Sequence, residues 1–133
     1  MSPLQAGRPL TGAVRLSVRP VEELARTLDR AGWRVAVVSG GPSKREALDA
    51  VAAALAFPAH FGHNLDALWD CLTDLERPTA LLWAGWEPLA VREPDAWAAL
   101  LGVLRARAEV AGEPPFSVVF CVAGDAPAVA GAR

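Results

Sequence analysis

The 133-residue chain has only two cysteines, Cys71 and Cys121, each among apolar neighbours. Two are too few for the disulfide framework of a small secreted domain. Both are read as buried thiols in a reducing cytoplasm, with a bridge between them as the alternative. The chain has no apolar run of the roughly 18–20 residues that a membrane helix needs. Its opening, MSPLQAGRPLTGAV, has no hydrophobic stretch long enough for a signal peptide. A cytoplasmic protein that does not contact the membrane is therefore expected. There is no internal repeat, and no low-complexity tract beyond a general excess of alanine.

What is present suits one folded domain with one core, since 53 % of the residues are hydrophobic and 21 % are charged. The net charge of −2 hides an uneven layout. Residues 57–95 carry seven acids and two bases, whereas residues 1–56 carry eight bases and five acids. A nucleic-acid binder would show a basic footprint, so that class is set aside. An acidic middle suits a cationic protein partner.

The chain alternates helical and strand-like segments. PVEELARTLDRAGW reads as a short helix, with Pro20 in its first turn, Glu22 and Glu23 at its positive end and Gly32 closing it. WRVAVVSG (33–40) reads as a buried strand. SGGPS is a turn, and SKRE is a capping box in which Ser43 caps and Glu46 reaches back. That helix is expected to reach about Ala56, where AFP stops it. Thr79–Trp83 and residues 116–122 read as further strands. Between them a long helix starts at Pro94 and Asp95 and ends at Gly112. The tail AGDAPAVAGAR is read as loose. AVRLSV (13–18) is a candidate edge strand, but its alternation is short. The expected fold class is therefore α/β, with a small three-stranded parallel sheet flanked by helices and an N-terminal helical extension.

HFGHNLDALWDCLTDL (60–75) has helical spacing with Asn64 as its expected N-cap. At about 100° per residue, Leu65, Leu68, Leu72 and Leu75 fall on one side. His63, Asp66, Trp69, Asp70 and Thr73 centre on the other, with Asp74 on the flank. The leucines make the core stripe, so the acids are exposed and Trp69 lies at the border. Like charges at i,i+4 cost a helix roughly 0.2–0.5 kcal/mol per pair. Asp66 and Asp70 recover part of that near the positive end, and Asp74 does not. An ordinary solvated face accounts for the acids alone. A tryptophan in their company is the mark of an interface anchor.

FPAHFGHNLDALWDCLTDL (57–75) strongly resembles the signature of the barstar family, small intracellular inhibitors of secreted ribonucleases such as barnase. A looser likeness runs from about Trp33 to Val122. It divides the chain into an extension with a short helix (1–32), a barstar-like domain (33–123) and a tail (124–133). The resemblance implies a three-stranded parallel sheet flanked by helices, and a signature helix and preceding loop that plug the ribonuclease active site. It implies that Asp70 takes the place of the substrate phosphate and that Asp66 pairs with a second basic group. His60 stands where the family has a tyrosine that packs on the enzyme's catalytic histidine. Gly62, Asn64, Trp69, Thr73 and Asp74 fall on other contact positions. Leu75 stands where the best-known member has a tryptophan. The supporting glutamate of the family aligns with Ala106, and Glu109, one turn on, is its candidate substitute.

Other constellations are thinner. His60, His63, Asp66 and Asp70 could be assembled as metal ligands, but a first helical turn and a loop explain them better. SGGPSK lacks the G-x-x-x-x-G-K-[ST] spacing of a phosphate loop. Cys71 has acidic neighbours, which raise a thiol pKa and argue against a nucleophile. Trp83, Trp86 and Trp97 are expected to pack around the second strand and the long helix. The expectation is a protein without catalytic residues, metal or cofactor, whose partner is a cationic, barnase-like secreted microbial ribonuclease. A barstar-like module that docks another basic protein is the alternative, and a metal-dependent enzyme is kept for comparison.

Overall fold

The computed structural model describes residues 14–58, 62–110 and 114–122. The elements in chain order are β1 (Val14–Ser17), α1 (Val21–Arg30), β2 (Arg34–Ser39), α2 (Lys44–Ala54), α3 (Leu65–Thr73), β3 (Thr79–Ala84), α4 (Glu87–Arg92), α5 (Pro94–Ala108) and β4 (Phe116–Cys121). The strands form one parallel sheet in the order β1-β4-β3-β2.

Four strands stand where three were expected, and the fourth is the candidate edge strand. β1 pairs residue for residue with β4, from Val14 opposite Val118 to Ser17 opposite Cys121. Its two central residues, Arg15 and Leu16, are both exposed, so it has no inside–outside alternation to read. Its partner strand holds it in place, which a local pattern cannot show.

Helix boundaries also moved for local reasons. α2 stops at Ala54, short of Ala56, because Ala56 takes a left-handed φ of 56°. The Phe57 N–H then donates to Ala52 O at 2.9 Å, closing the end as a Schellman motif. The Ser43 half of the capping box forms, with the Glu46 N–H donating to Ser43 Oγ at 3.2 Å, while Glu46 Oε1 reaches back to accept from the Ser43 hydroxyl at 3.0 Å. α4 was not expected. It is a six-residue helix with proline in its first turn, and it ends at Glu93, whose backbone is restricted by Pro94. The helix stop expected at Gly112 and the tail from residue 124 lie outside the described residues.

β3 and β4 are buried almost throughout and divide their side chains between two faces. Leu81, Trp83, Val118 and Phe120 join Ala36 and Val38 in the larger core, under α2, α3 and α5. Ala80, Leu82, Val119 and Cys121 pack with Trp33 and with Leu24 and Leu28 of α1. A parallel sheet needs both faces covered, and α1 covers the second. Within the larger core Trp86 stacks on Trp97 at 5.3 Å between ring centroids, and both meet Phe120. Their polar tips are served: Trp83 Nε1 donates to Gly40 O at 2.9 Å and Trp86 Nε1 to Cys121 O at 3.1 Å.

Leu24 and Leu28 are 0 % and 1 % exposed. Leu28→Ala should therefore destabilise the fold by about 2–5 kcal/mol, as truncation of a core leucine does. Urea denaturation of the full chain measures it. A loss below about 1 kcal/mol would mean that α1 is only loosely laid on the sheet.

Candidate functional site

The acidic helix is seated by leucines and held at both ends. Leu68 and Leu72 are fully buried and Leu75 nearly so, all within the larger core. At the N-terminus the Asn64 side chain works from both ends. Its Oδ1 accepts the Ala67 N–H at 2.8 Å, while its Nδ2 donates to Gly62 O at 3.2 Å. An aspartate could cap but could not make the second bond. A Cβ on Gly62 would sit 3.2 Å from that same Nδ2, so the turn has little room there.

The C-terminal end is held by a residue that the sequence did not single out. Arg107 of α5 is 1 % exposed. Its Nε donates to Leu72 O at 2.9 Å, in the last turn of α3, and its Nη2 donates to Pro114 O at 2.8 Å. Its guanidinium carbon lies 5.8 Å from the centroid of the Phe116 ring. A cation at the carbonyl end of a helix also meets the negative end of its dipole. The only hint in the sequence was an arginine on a helix face that otherwise reads as apolar.

The outward face of α3 forms one wall of a groove against α5. Leu65, Asp66, Trp69 and Asp70 line it on one side and Ala99, Gly102, Val103 and Ala106 on the other, enclosing about 530 Å³. The α5 wall is short and uncharged, and a Cβ on Gly102 would meet nothing within 4 Å. Asp66 and Asp70 are exposed, and Trp69 is half-buried beside them. Among the described residues neither aspartate takes part in an ion pair. Two uncompensated negative charges thus flank an indole at the mouth of an apolar groove. Such a face can receive cationic groups.

The remaining expected site residues are distributed around this face. Thr73 is half-buried, and its hydroxyl donates to Asp70 O at 2.8 Å. Asp74 is the C-cap of α3 and lines a different groove, with Arg34, Phe57, Glu76 and Arg77. The structure therefore brings Asp66, Trp69 and Asp70 together and turns Asp74 elsewhere. His63 was expected on the helix face with the acids. It instead precedes the N-cap, with a φ of 55°, and its Nδ1 faces Asp49 of α2. His60 lies outside the described residues. Glu109 is the exposed C-cap of α5 and is not part of the groove wall, which at this level is Ala106.

Neither cysteine is arranged as an activated nucleophile. Burial first, then Asp74 and Asp70, pushes the Cys71 thiol above its ordinary pKa, so it stays protonated at neutral pH. Burial, followed by Glu22 and Glu87, does the same to Cys121. Both cysteines are free thiols. Among the described residues no group of three His, Cys, Asp or Glu side chains is placed to share a metal. No described helix is long and apolar enough to cross a membrane.

An acidic helix is packed on a parallel α/β sheet, with the Asp66 and Asp70 carboxylates exposed. The model of the barstar family, described as barstar (barnase inhibitor), matches residues 33–122, more than half of the chain. The chain belongs to the barstar family, which is a family of inhibitors.

The Arg107 clamp can be tested on stability alone. Arg107→Leu would remove the side-chain donor from the Leu72 and Pro114 carbonyls. The expected loss is at least about 1.5–3 kcal/mol, the net worth of one hydrogen bond from a charged group. Arg107→Lys should recover only part of it, because an ammonium lacks the fork that reaches two carbonyls. Equilibrium denaturation decides, and a leucine variant as stable as the wild type would remove the clamp from the account.

Proposed function

We propose that the protein is an intracellular inhibitor of a barnase-like ribonuclease destined for secretion, which it blocks by seating α3 and the preceding loop in the enzyme's active site. The observation that carries this reading is the pair of unpaired carboxylates, Asp66 and Asp70, flanking half-buried Trp69 on a helix fixed at both ends. A ribonuclease active site must hold a phosphate and so offers cationic side chains. Asp70 takes the phosphate's place, Asp66 meets a second basic group, and Trp69 gives the contact its apolar centre. Gly62, Asn64 and Thr73 join them as contacts, Asp74 is at the margin, and His60 is carried over from its place in the motif alone. No chemistry is required of the inhibitor.

The uncharged α5 wall supports a second reading, in which the same face docks a different basic protein. Where the resemblance implies a glutamate, this groove has Ala106. A panel of barnase-like ribonucleases separates the two readings. Under the first, residual activity falls linearly to near zero at about one equivalent of folded protein, as tight binding requires. If no enzyme of the panel loses activity, the second reading takes over.

Within the first reading, Asp70→Ala should weaken inhibition most, followed by Asp66→Ala and Trp69→Ala. Truncating one member of a desolvated charge pair costs about 2–5 kcal/mol or more, a range that itself draws on complexes of this family. For the two aspartate variants stability should hold or rise slightly, because at least one i,i+4 repulsion of roughly 0.2–0.5 kcal/mol disappears. An Asp70 variant that inhibits as well as the wild type would refute the phosphate-mimic role.

Association should slow as salt rises, since attraction between exposed charges fades beyond about 8 Å at physiological ionic strength. Dissociation should change less, because pairs buried in the complex are screened less. Stopped-flow mixing across a salt series gives both rates. An association rate indifferent to salt would mean that the aspartates do not steer the partner and that Trp69 and its neighbours bind by shape.

A further inference from the structure

We propose that Asp49, on α2 and outside the groove, is a positioning residue for the binding face: through His63 it fixes the turn that leads into α3. The consequence for binding rests on the inhibitor reading above, whereas the effect on the turn does not. His63 stands between Gly62 and the N-cap Asn64 with a φ of 55°. That is the left-handed region, which side chains bearing a Cβ enter at a cost and histidine tolerates better than most. The conformation therefore needs support from outside the turn.

The structure supplies it across two elements. His63 Nδ1 lies 2.5 Å from Asp49 Oδ1, and Arg45 Nε lies 3.4 Å from the same oxygen. The Arg45–Asp49 pair lies along one helix and is well exposed, so it adds little. The Asp49–His63 pair instead joins α2 to the turn. Its side chains are 47 % and 36 % exposed, so water screens the contact only in part. It acts at a point of leverage, because both bonds of Asn64 depend on where residues 62–64 lie. The Oδ1 bond to the Ala67 N–H is 2.8 Å and the Nδ2 bond to Gly62 O is 3.2 Å. Asp66 and Trp69 follow within the next turn and a half. If residues 62–64 lose their tether, the first turn of α3 frays, and the groove wall frays with it.

The test uses the full chain as Asp49→Ala, His63→Ala and the double variant. In the free protein, amide hydrogen exchange at Ala67 should be about three- to ten-fold faster in Asp49→Ala, the size expected for a partly exposed contact. Amides of Leu82 and Val119, in the buried strands, should exchange as in the wild type. Unchanged exchange at Ala67, or a parallel rise in the strands, overturns the inference. With barnase as the partner, each single variant should dissociate about three- to ten-fold faster. The double variant should be no worse than the larger single effect, since both remove the same contact. Effects that multiply overturn the inference. If barnase does not bind the wild type, the reading of it as the target falls, while exchange at Ala67 still decides the role of Asp49.

Discussion

Arg107 places a full positive charge in the interior, 1 % exposed, and spends its donors on backbone carbonyls of two other segments. The placement of the acidic helix depends on this. α3 has only nine residues, too short to be a stable helix in isolation. Its leucines fix its height above the sheet, but leucine contacts are non-directional and tolerate rotation. Hydrogen bonds do not. Asn64 holds one end and Arg107 the other, so the helix cannot turn about its axis without breaking one of them. The arc on which Asp66, Trp69 and Asp70 are presented is set by these two polar contacts, and the hydrophobic stripe alone would leave it loose.

The acidic face that this helix presents costs the fold little. Asp66 and Asp70 repel one another and have no ion-pair partner among the described residues. Asp66, in the first turn, is favoured by the helix dipole. The remaining cost is a few tenths of a kcal/mol, small beside the roughly 1.5–3 kcal/mol of one fully buried leucine. The fold can carry such a face because Leu68 and Leu72 are anchored in a core built mostly by other elements. Pairing the aspartates within the chain would have removed the charge that a cationic partner is proposed to meet.

The parts that could be read in the sequence are those governed by short-range rules. The leucine stripe, the Asn64 cap, the Ser43 capping box and three of the strands each follow from periodicity or from one side chain's reach along the chain. The errors share a cause. β1 is a strand because of its partner β4, and its own four residues have no alternation. His63 has the spacing of a helical residue, but a left-handed backbone places it before the cap and turns it to Asp49, on another helix. Arg107 was visible only as an arginine on an otherwise apolar helix face, because its acceptors lie on other segments. Asp74 has the same four-residue step as Asp66 and Asp70. The helix ends beneath it, and it faces another groove. In the acidic helix, periodicity shows the composition of the face, and tertiary contacts decide which of its residues lie together.

The groove adds a consequence for partner choice. Its α3 wall is charged and aromatic, and its α5 wall, from Ala99 to Ala106, offers only methyl groups, a valine and the open space over Gly102. Specificity is a difference between affinities, and a missing group contributes to it as much as a present one. A partner that places a cation against α5 finds no carboxylate on that wall and must leave that charge to the α3 aspartates or partly unpaired. A partner that places an apolar side chain there loses nothing and gains the burial. The negative charge is thus confined to α3, and the neighbouring helix favours partners whose own charge is equally confined. Under the proposed reading, the α3 contacts set the mode of binding, and the α5 contacts select among the proteins that could use it.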